Sequence, residues 1–466
     1  MPLRSTFIAL ALLAVAIPAS ALMQIFVVGS TPWPNTPAIV VTPEYTEIVA
    51  WERAGHVYTV ARNGDQIFGE DDHGPGEHPA LCLIPNGALL AYAEGGTIHV
   101  ERWVWDAWAP DSSVTGGGNA ILSLSLSGMG GSASYEGTYL SWEESGYSVW
   151  FAERLDGPWS PSEQVRDDTG GYARPRALPA LAPLGLRPRI YYVNAHNGDY
   201  ALLSTDRVGG IWSGPAPVPG PAGGVDFDVD FGPEYSQHLI TTLWQPDCPC
   251  NHVYYLEQTA DGDWLPATEL TVHVDDYDWP QSVGLGVDGE GRVHAAWYQL
   301  ALGSGPDTEH LYYQVLEGGV WTDATAELGG HAGPFCNVGA DSWDAASIVW
   351  CELVSGQYQV TVATAAPIGA VETSPSAGFG LGVSPNPFNP RTTFALRLDA
   401  PAQVALGIYD AAGRRVRALE LALPAGTSTV DWDGRDDAGR RLASGVYLAR
   451  AAAGAETASA RVVLLK

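Results

Sequence analysis

Seven aromatic residues mark a repeat: Trp51, Tyr92, Trp142, Tyr192, Trp244, Trp297 and Trp350, spaced 41 to 53 residues apart. Each ends the second of two apolar runs that flank a Gly/Asp-type turn. A polar loop follows, then a third run such as HVYYLEQ from His252 or HLYYQVLE from His310. A fourth element often begins on a second tryptophan, as at Trp108, Trp159, Trp212, Trp264 and Trp321. Short alternating runs broken by Gly, Pro and Asp read as strands. Four strands per unit of about 50 residues describe a propeller blade, whereas a sandwich domain needs about 100. The expectation is an all-β chain with a seven-bladed β-propeller over residues 22–366, or a six-bladed one if the weak first unit is not a blade. The last unit holds only three runs. An unclosed ring would leave open sheet edges, so the missing strand is expected from Gln24 to Val28.

The first 21 residues read as an export signal. Arg4 precedes the apolar run Phe7 to Ile17, and Ala19-Ser20-Ala21 supplies the small residues of a cleavage site. The run is too short to span a bilayer. Leu22 to Val28 is again apolar, which keeps an uncleaved anchor as the other reading. Export places the mature chain in solution or on the outer surface of a Gram-negative-type bacterium, with no transmembrane segment after cleavage.

Charge divides the chain. Residues 383–466 carry 11 basic and 8 acidic groups, whereas residues 1–382 carry 12 and 45, a net of −33. So acidic a surface repels phosphate backbones and excludes nucleic acid as a partner. A Pro-, Gly-, Ser- and Ala-rich stretch, 367–382, reads as a linker. The alternating apolar residues Val404, Leu406 and Ile408, with turns at Asp410 to Gly413 and Asp433 to Gly439, make residues 383–466 a small Ig-like β-sandwich.

Candidate site residues come from the acidic loops. Glu70-Asp71-Asp72-His73, Asp167-Asp168 and Asp275-Asp276-Tyr277-Asp278 lead toward the first run of a unit. They read either as turn chemistry or as a ring of carboxylates at the channel mouth that binds Ca²⁺ or a hydroxylated ligand. Asp71, Asp72, Asp168, Asp228 and Asp276 are the candidate ligand-binding carboxylates, with Trp279 as a sugar-stacking surface. In VDFDVDF, Asp226, Asp228 and Asp230 alternate with apolar residues, so a strand presents all three on one face. Such stacked charges need water or a cation between them, and Ca²⁺ is the candidate. Five cysteines suit an oxidising compartment. A turn centred between Trp343 and Asp344 would put Cys336 opposite Cys351 and form a disulfide. Cys248 and Cys250 read as a local disulfide, free thiols or, with His252, part of a metal clip. No Ser-His-Asp set, phosphate loop or zinc spacing appears.

The unit DDYDWPQSVGLGVDGEGRVHAAWYQLALGSGPDTEHLYYQVLEGGVWTDATAEL resembles the repeats of sialidase-like propellers. That family's Asp-box appears only as STDRVGGIW, with Ser204, Asp206, Gly209 and Trp212 and one residue too many. The early arginine motif of sialidases is absent. The RPRI of Arg187 to Ile190 is similar only in letters, so the resemblance implies a fold and not sialidase activity. The C-terminal segment resembles the type A sorting domain of the type IX secretion system and the Ig-like domain of flagellar hook-assembly proteins. The matching residues are Asn386, Pro387, Phe388, Asn389, Pro390, Tyr409, Asp410, Gly413, Trp432, Asp433, Gly434, Gly445 and Tyr447. This resemblance implies passage through outer-membrane secretion machinery, then surface attachment or release. The expected function is binding of an extracellular glycan or protein by the propeller, the alternative being a divergent glycoside hydrolase or lyase.

Overall fold

The computed structural model describes residues 23–464 apart from 366–379, 129–136 and shorter loop segments that include 245–250, 272–277, 302–307, 341–345, 385–390 and 411–413. The chain divides into two compact units, residues 1–367 and 368–466. Among the described residues, the first unit holds seven antiparallel sheets. Their first strands are Ala38–Val41, Glu77–Ile84, Ile121–Gly128, Arg176–Ala182, Gly224–Phe231, Asp278–Val287 and Ala332–Ala340. Sheets are numbered here in that order. Each first strand lies beside the first strand of the next sheet, and the seventh lies beside the first. The arrangement is a closed ring of sheets, a β-propeller, with a channel of about 860 Å³ along its axis.

The marker aromatics all fall on the second strands, where Trp51, Tyr92, Trp142, Tyr192, Trp297 and Trp350 fill the space between sheets. Trp51, Trp142, Trp297 and Trp350 are fully buried. Each withdraws roughly 200 Å² from water, worth about 5 kcal/mol before conformational entropy is charged against it. The hairpins close on left-handed backbone. Gly209 and Gly210 at φ 60° and 83° form the two-residue turn between paired Val208 and Ile211, the conformation that matches strand twist.

The ring closes as the sequence requires. Met23–Thr31 pairs antiparallel with Gln357–Ala365 as the outer strand of sheet seven, with Ile25 opposite Ala363 and Thr31 opposite Tyr358. A buried polar group joins sheet seven to sheet one. Ser347 Oγ and Thr364 Oγ1 each donate to Glu47 Oε1 at 2.5 Å, and Arg62 Nε donates to Glu47 Oε2 at 2.5 Å.

The predicted disulfide does not form. Cys336 stands opposite Trp350, one residue from the expected partner. Alternation along a strand then sends Cys351 to the other face. Cys336 packs with Ile348 and Trp350 between sheets six and seven, while Cys351 packs with Trp51 and Val360 between sheets seven and one. Cys82, Cys336 and Cys351 are free and buried. Burial pushes the thiols of Cys82 and Cys336 up to about 12 and that of Cys351 to about 11. Cys248 and Cys250 lie outside the described residues.

The second unit is a two-layer sandwich. Gly380–Ser384, Thr392–Leu398 and Gly426–Trp432 form one sheet; Ala402–Asp410, Arg415–Leu423, Gly445–Ala453 and Glu456–Leu464 form the other. Trp432 anchors its core, with Phe394 at 6.2 Å and Tyr447 edge-on at 5.7 Å. One turn recurs in both units. Asp288 accepts the N–H groups of Glu290 and Arg292 and the Arg292 Nε–H. Asp436 accepts those of Ala438 and Arg440 and the Arg440 Nε–H. The shared spacing is Asp-x-x-Gly-Arg, with Gly291 and Gly439 left-handed at φ 81° and 75°.

Candidate functional site

The first strands are irregular where they begin. Register shifts between Glu77 and Ala80, Ile121 and Ser123, Gly224 and Asp226, Gln281 and Val283, and Ala332 and Cys336 put a bulge at one end of five of the seven. Three residues at this rim, in sheets two, four and six, hold positive φ without being glycine: His78 at 56°, Arg174 at 46° and Ser282 at 41°. Two of them precede a proline, which restricts their backbone further. Bulges re-aim side chains at the rims of ring-shaped sheets, and such backbone persists only where its surroundings over-determine it. His78, Arg174 and Ser282 all line the channel, together with Asn35, Glu52, Ser123 and Asp226.

The surroundings that hold Arg174 are visible. Glu143, fully buried on the second strand of sheet three, accepts the backbone N–H groups of Ala173 at 2.9 Å and Arg174 at 3.2 Å. Its other oxygen has no hydrogen-bond partner, and burial raises its pKa. The Arg174 guanidinium then reaches Asp226 at 2.5 Å on the next first strand but one, in sheet five. Glu52 is the last residue but one of Thr46–Arg53, the second strand of sheet one, at the same rim. Burial, and then the charge of Glu77, raise its pKa. His78 is shifted the other way, burial lowering its pKa.

The three aspartates share one face of Gly224–Phe231, as alternation demands, but the protein itself supplies their partners, arginines for two and backbone N–H groups for the third. Asp226 pairs with Arg174. Asp228 pairs with Arg176 at 3.4 Å and accepts the Leu285 N–H at 3.0 Å. Asp230 accepts the N–H groups of Val287 at 2.9 Å and Phe231 at 2.8 Å. These carboxylates fasten sheet five to sheets four and six, and the Ca²⁺ reading is corrected accordingly. Among the described residues no group of three or more His, Cys, Asp or Glu side chains could hold a metal ion. Burial raises the Asp230 carboxyl to about 7, with the Asp228 charge adding to the effect.

The other sequence candidates scatter. Asp71 and Asp72 do not reach the channel mouth: Asp71–Pro75 is an added edge strand whose Asp72 lies opposite Tyr58. Asp72 accepts the Gly74 N–H at 2.9 Å and pairs with His56 at 3.0 Å, which lowers its pKa. Asp168 accepts the Gly170 N–H at 2.8 Å and serves the turn. Trp279 lies on the first strand of sheet six, its side chain outside the described residues, as is Asp276. Asp206 of the degenerate Asp-box pairs with Arg187 at 2.5 Å and Arg189 at 2.6 Å, so the arginines of RPRI brace sheet four.

In the C-terminal motif, Trp432 Nε1 donates to the Arg435 carbonyl at 2.9 Å, Asp433 pairs with Arg435, and Gly434 is left-handed at φ 68°. Tyr409 and Asp410 end one strand and Gly445 begins another that carries Tyr447. Asn386 to Pro390 and Gly413 lie outside the described residues.

Sequence reasoning missed Glu52, His78, Arg174 and Ser123. A signal existed. The pairs Arg174–Asp226 and Arg176–Asp228 are each 52 residues apart, one repeat. In a ring of repeats, a residue one period away on the first strand is a lateral neighbour.

Residues 385–456 match the family model for the FlgD Ig-like domain. No curated protein sequence matches the chain. Among solved structures, the chain is similar to the β-propeller domain of Cps50 (Swd1) from Myceliophteria thermophila, at 9% identity over 72% of this chain and 98% of that one, with a TM-score of 0.46. It is also similar to the polysaccharide lyase Uly1, at 12% identity, 72% and 91% coverage and a TM-score of 0.44. AofleA from Arthrobotrys oligospora gives 12% identity, 66% and 89% coverage and a TM-score of 0.42. None of these likenesses speaks to chemistry.

Proposed function

We propose that this chain is an exported protein whose sialidase-like propeller binds a polyhydroxylated extracellular ligand, a glycan, over the bulged rim of its channel. One observation carries the reading: His78, Arg174 and Ser282 are held in left-handed backbone at equivalent places of alternate sheets, on a rim that also presents Asn35, Glu52, Ser123 and Asp226. A concave site with guanidinium, imidazole, carboxylate, amide and hydroxyl groups on rigid strands suits hydroxyl-rich ligands, each hydroxyl being both donor and acceptor. In the same proposal the C-terminal unit directs type IX secretion and surface attachment, a reading supported by its Ig-like sandwich and the Trp432 to Tyr447 motif. Its partner is the outer-membrane secretion machinery, and its place the outer surface or the medium.

The experiment is a screen of the purified chain against immobilised neutral, amino and acidic glycans, with and without calcium. The reading expects retention on one glycan class, unchanged by calcium. Retention on none overturns it.

One observation favours the hydrolase or lyase alternative. Among the described residues, the Glu52 carboxylate makes no hydrogen bond or ion pair, and its pKa is raised at the same rim. A carboxyl of that kind is equipped for general acid catalysis. Turnover of a retained glycan that Glu52→Gln abolishes would convert the binding reading into the catalytic one.

A further inference from the structure

Among the described residues, the charges that line the channel are balanced in all but one place. Arg174 is paired with Asp226 at 2.5 Å and Arg176 with Asp228 at 3.4 Å, so neither guanidinium brings net positive charge to the rim. Asp288 is paired with Arg292 at 2.7 Å. Asp230 is held by backbone N–H groups, and burial raises its carboxyl to about 7. Burial lowers the pKa of His78, which favours the neutral ring. What remains is Glu52, a carboxylate with neither hydrogen bond nor ion pair, which feels the further negative charge of Glu77. Such a lining offers no free cation to a carboxylate or sulfate, and a chain of net charge −30 repels anionic ligands as they approach.

An exposed aromatic is tethered to Glu52. Trp33 is 75% exposed, on the segment between the closing strand Met23–Thr31 and Ala38–Val41. Hydrogen bonds brace that segment. Thr31 Oγ1 donates to the Trp33 carbonyl at 2.9 Å, and Asn35 Nδ2 donates to the Glu52 carbonyl at 2.5 Å. Cys351 Sγ donates to the Asn35 carbonyl at 3.3 Å. An indole left in water does little for folding, yet the backbone that carries it is fixed to the strand that carries Glu52. An aromatic face and an unpaired carboxylate both attract cations, one through the ring quadrupole and the other through charge.

We infer that the ligand of the rim is an amino sugar, with its ammonium on the Glu52 carboxylate and its ring on Trp33, where the chain crosses from sheet seven to sheet one. The inference rests on the bulged rim being the glycan site and adds the charge of the glycan. An ammonium supplies the counter-charge that Glu52 lacks and brings three hydrogen-bond donors. An N-acetylated sugar keeps the stacking but forfeits the ion pair. A uronic acid meets Glu52 and Glu77 with like charge.

Calorimetric titration of the full chain tests this, with a glucosamine oligomer, its N-acetylated counterpart and an oligouronate as probes, at about pH 6 and low salt. The amine form should bind at least tenfold more tightly than the N-acetylated form, and the oligouronate should not bind. Added salt should narrow the difference between the first two. Glu52→Gln should abolish the preference for the amine and leave affinity for the N-acetylated form unchanged. Trp33→Ala should weaken both forms at least tenfold without moving the melting temperature, since the indole already stands in water. Equal affinity for the two forms, tighter binding of the oligouronate, binding of none of the three, or an amine preference that survives Glu52→Gln overturns the inference. Equal affinity that Arg174→Ala nevertheless destroys would overturn the amine alone and leave the rim as the glycan site.

Discussion

Glu143 accepts the backbone N–H of Arg174 at 3.2 Å across the boundary between sheets three and four, and Arg174 holds φ 46°. A buried carboxylate in one repeat thus fixes a left-handed residue in the next, and that residue's side chain crosses to Asp226 in a third. Glu143→Ala leaves two buried N–H groups unpaired, at about 1–3 kcal/mol each. Urea unfolding should show a loss of that order. Glu143→Gln keeps an acceptor oxygen and should cost much less. Equal losses in the two variants would mean that the bonds do not matter.

The Asp230 carboxyl, raised to about 7 by burial, gives a slope of stability with pH. Its folded pKa lies above its unfolded value of 3.8, so the folded state binds the proton more tightly. This group therefore supports folding most below about pH 4, and its support is lost as pH rises toward 7. The loss is on the order of 2 kcal/mol after allowing for relaxation around the charge. Unfolding free energies measured at pH 4.5 and 7.5 should fall more steeply with pH in the parent than in Asp230→Asn. Parallel profiles would assign the slope elsewhere.

The three buried thiols should be silent in the folded chain. A thiol with a pKa of 11 to 12 carries almost no thiolate at pH 8. Peptide mapping after alkylation of the native chain should leave Cys82, Cys336 and Cys351 unlabelled, and labelling after unfolding should reach all three without prior reduction. A Cys336–Cys351 disulfide peptide would contradict the register.

That disulfide shows where the sequence was legible and where it was not. The marker aromatics mapped directly onto the second strands because burial between sheets demands a large apolar side chain at one position per repeat. The closing strand was equally legible, since a ring cannot end on three strands. Register was not. Cys336 pairs one residue away from the expected partner, and with a side-chain period of two, one residue reverses the face. Asp71 and Asp72 looked like a loop into sheet two because nothing local distinguishes such a loop from an added edge strand. The rim residues His78 and Arg174 stayed hidden because one depends on a bulge and the other on the Glu143 carboxylate of the preceding sheet, and neither has a strong residue signature. Their prolines, Pro79 and Pro175, were the visible trace.

Ring closure depends on one close approach. A Cβ on Gly29 would lie 2.5 Å from the Trp51 indole, so the closing strand and that ring cannot both keep their places in Gly29→Ala. Overpacking of this kind costs about 1–3 kcal/mol. The variant's melting temperature should fall, and protease should nick the chain within residues 23–31 first. Unchanged melting would mean that the strand is not seated on Trp51.

The central claim is that the bulged rim of the channel is the ligand site. The most direct measurement is the affinity of the parent chain and of Arg174→Ala for the glycan class that the parent retains, by calorimetric titration. The account predicts at least a tenfold loss of affinity in the variant, with folding confirmed by an unchanged far-ultraviolet spectrum. Equal affinity in the two chains would place binding elsewhere on the molecule and contradict the account.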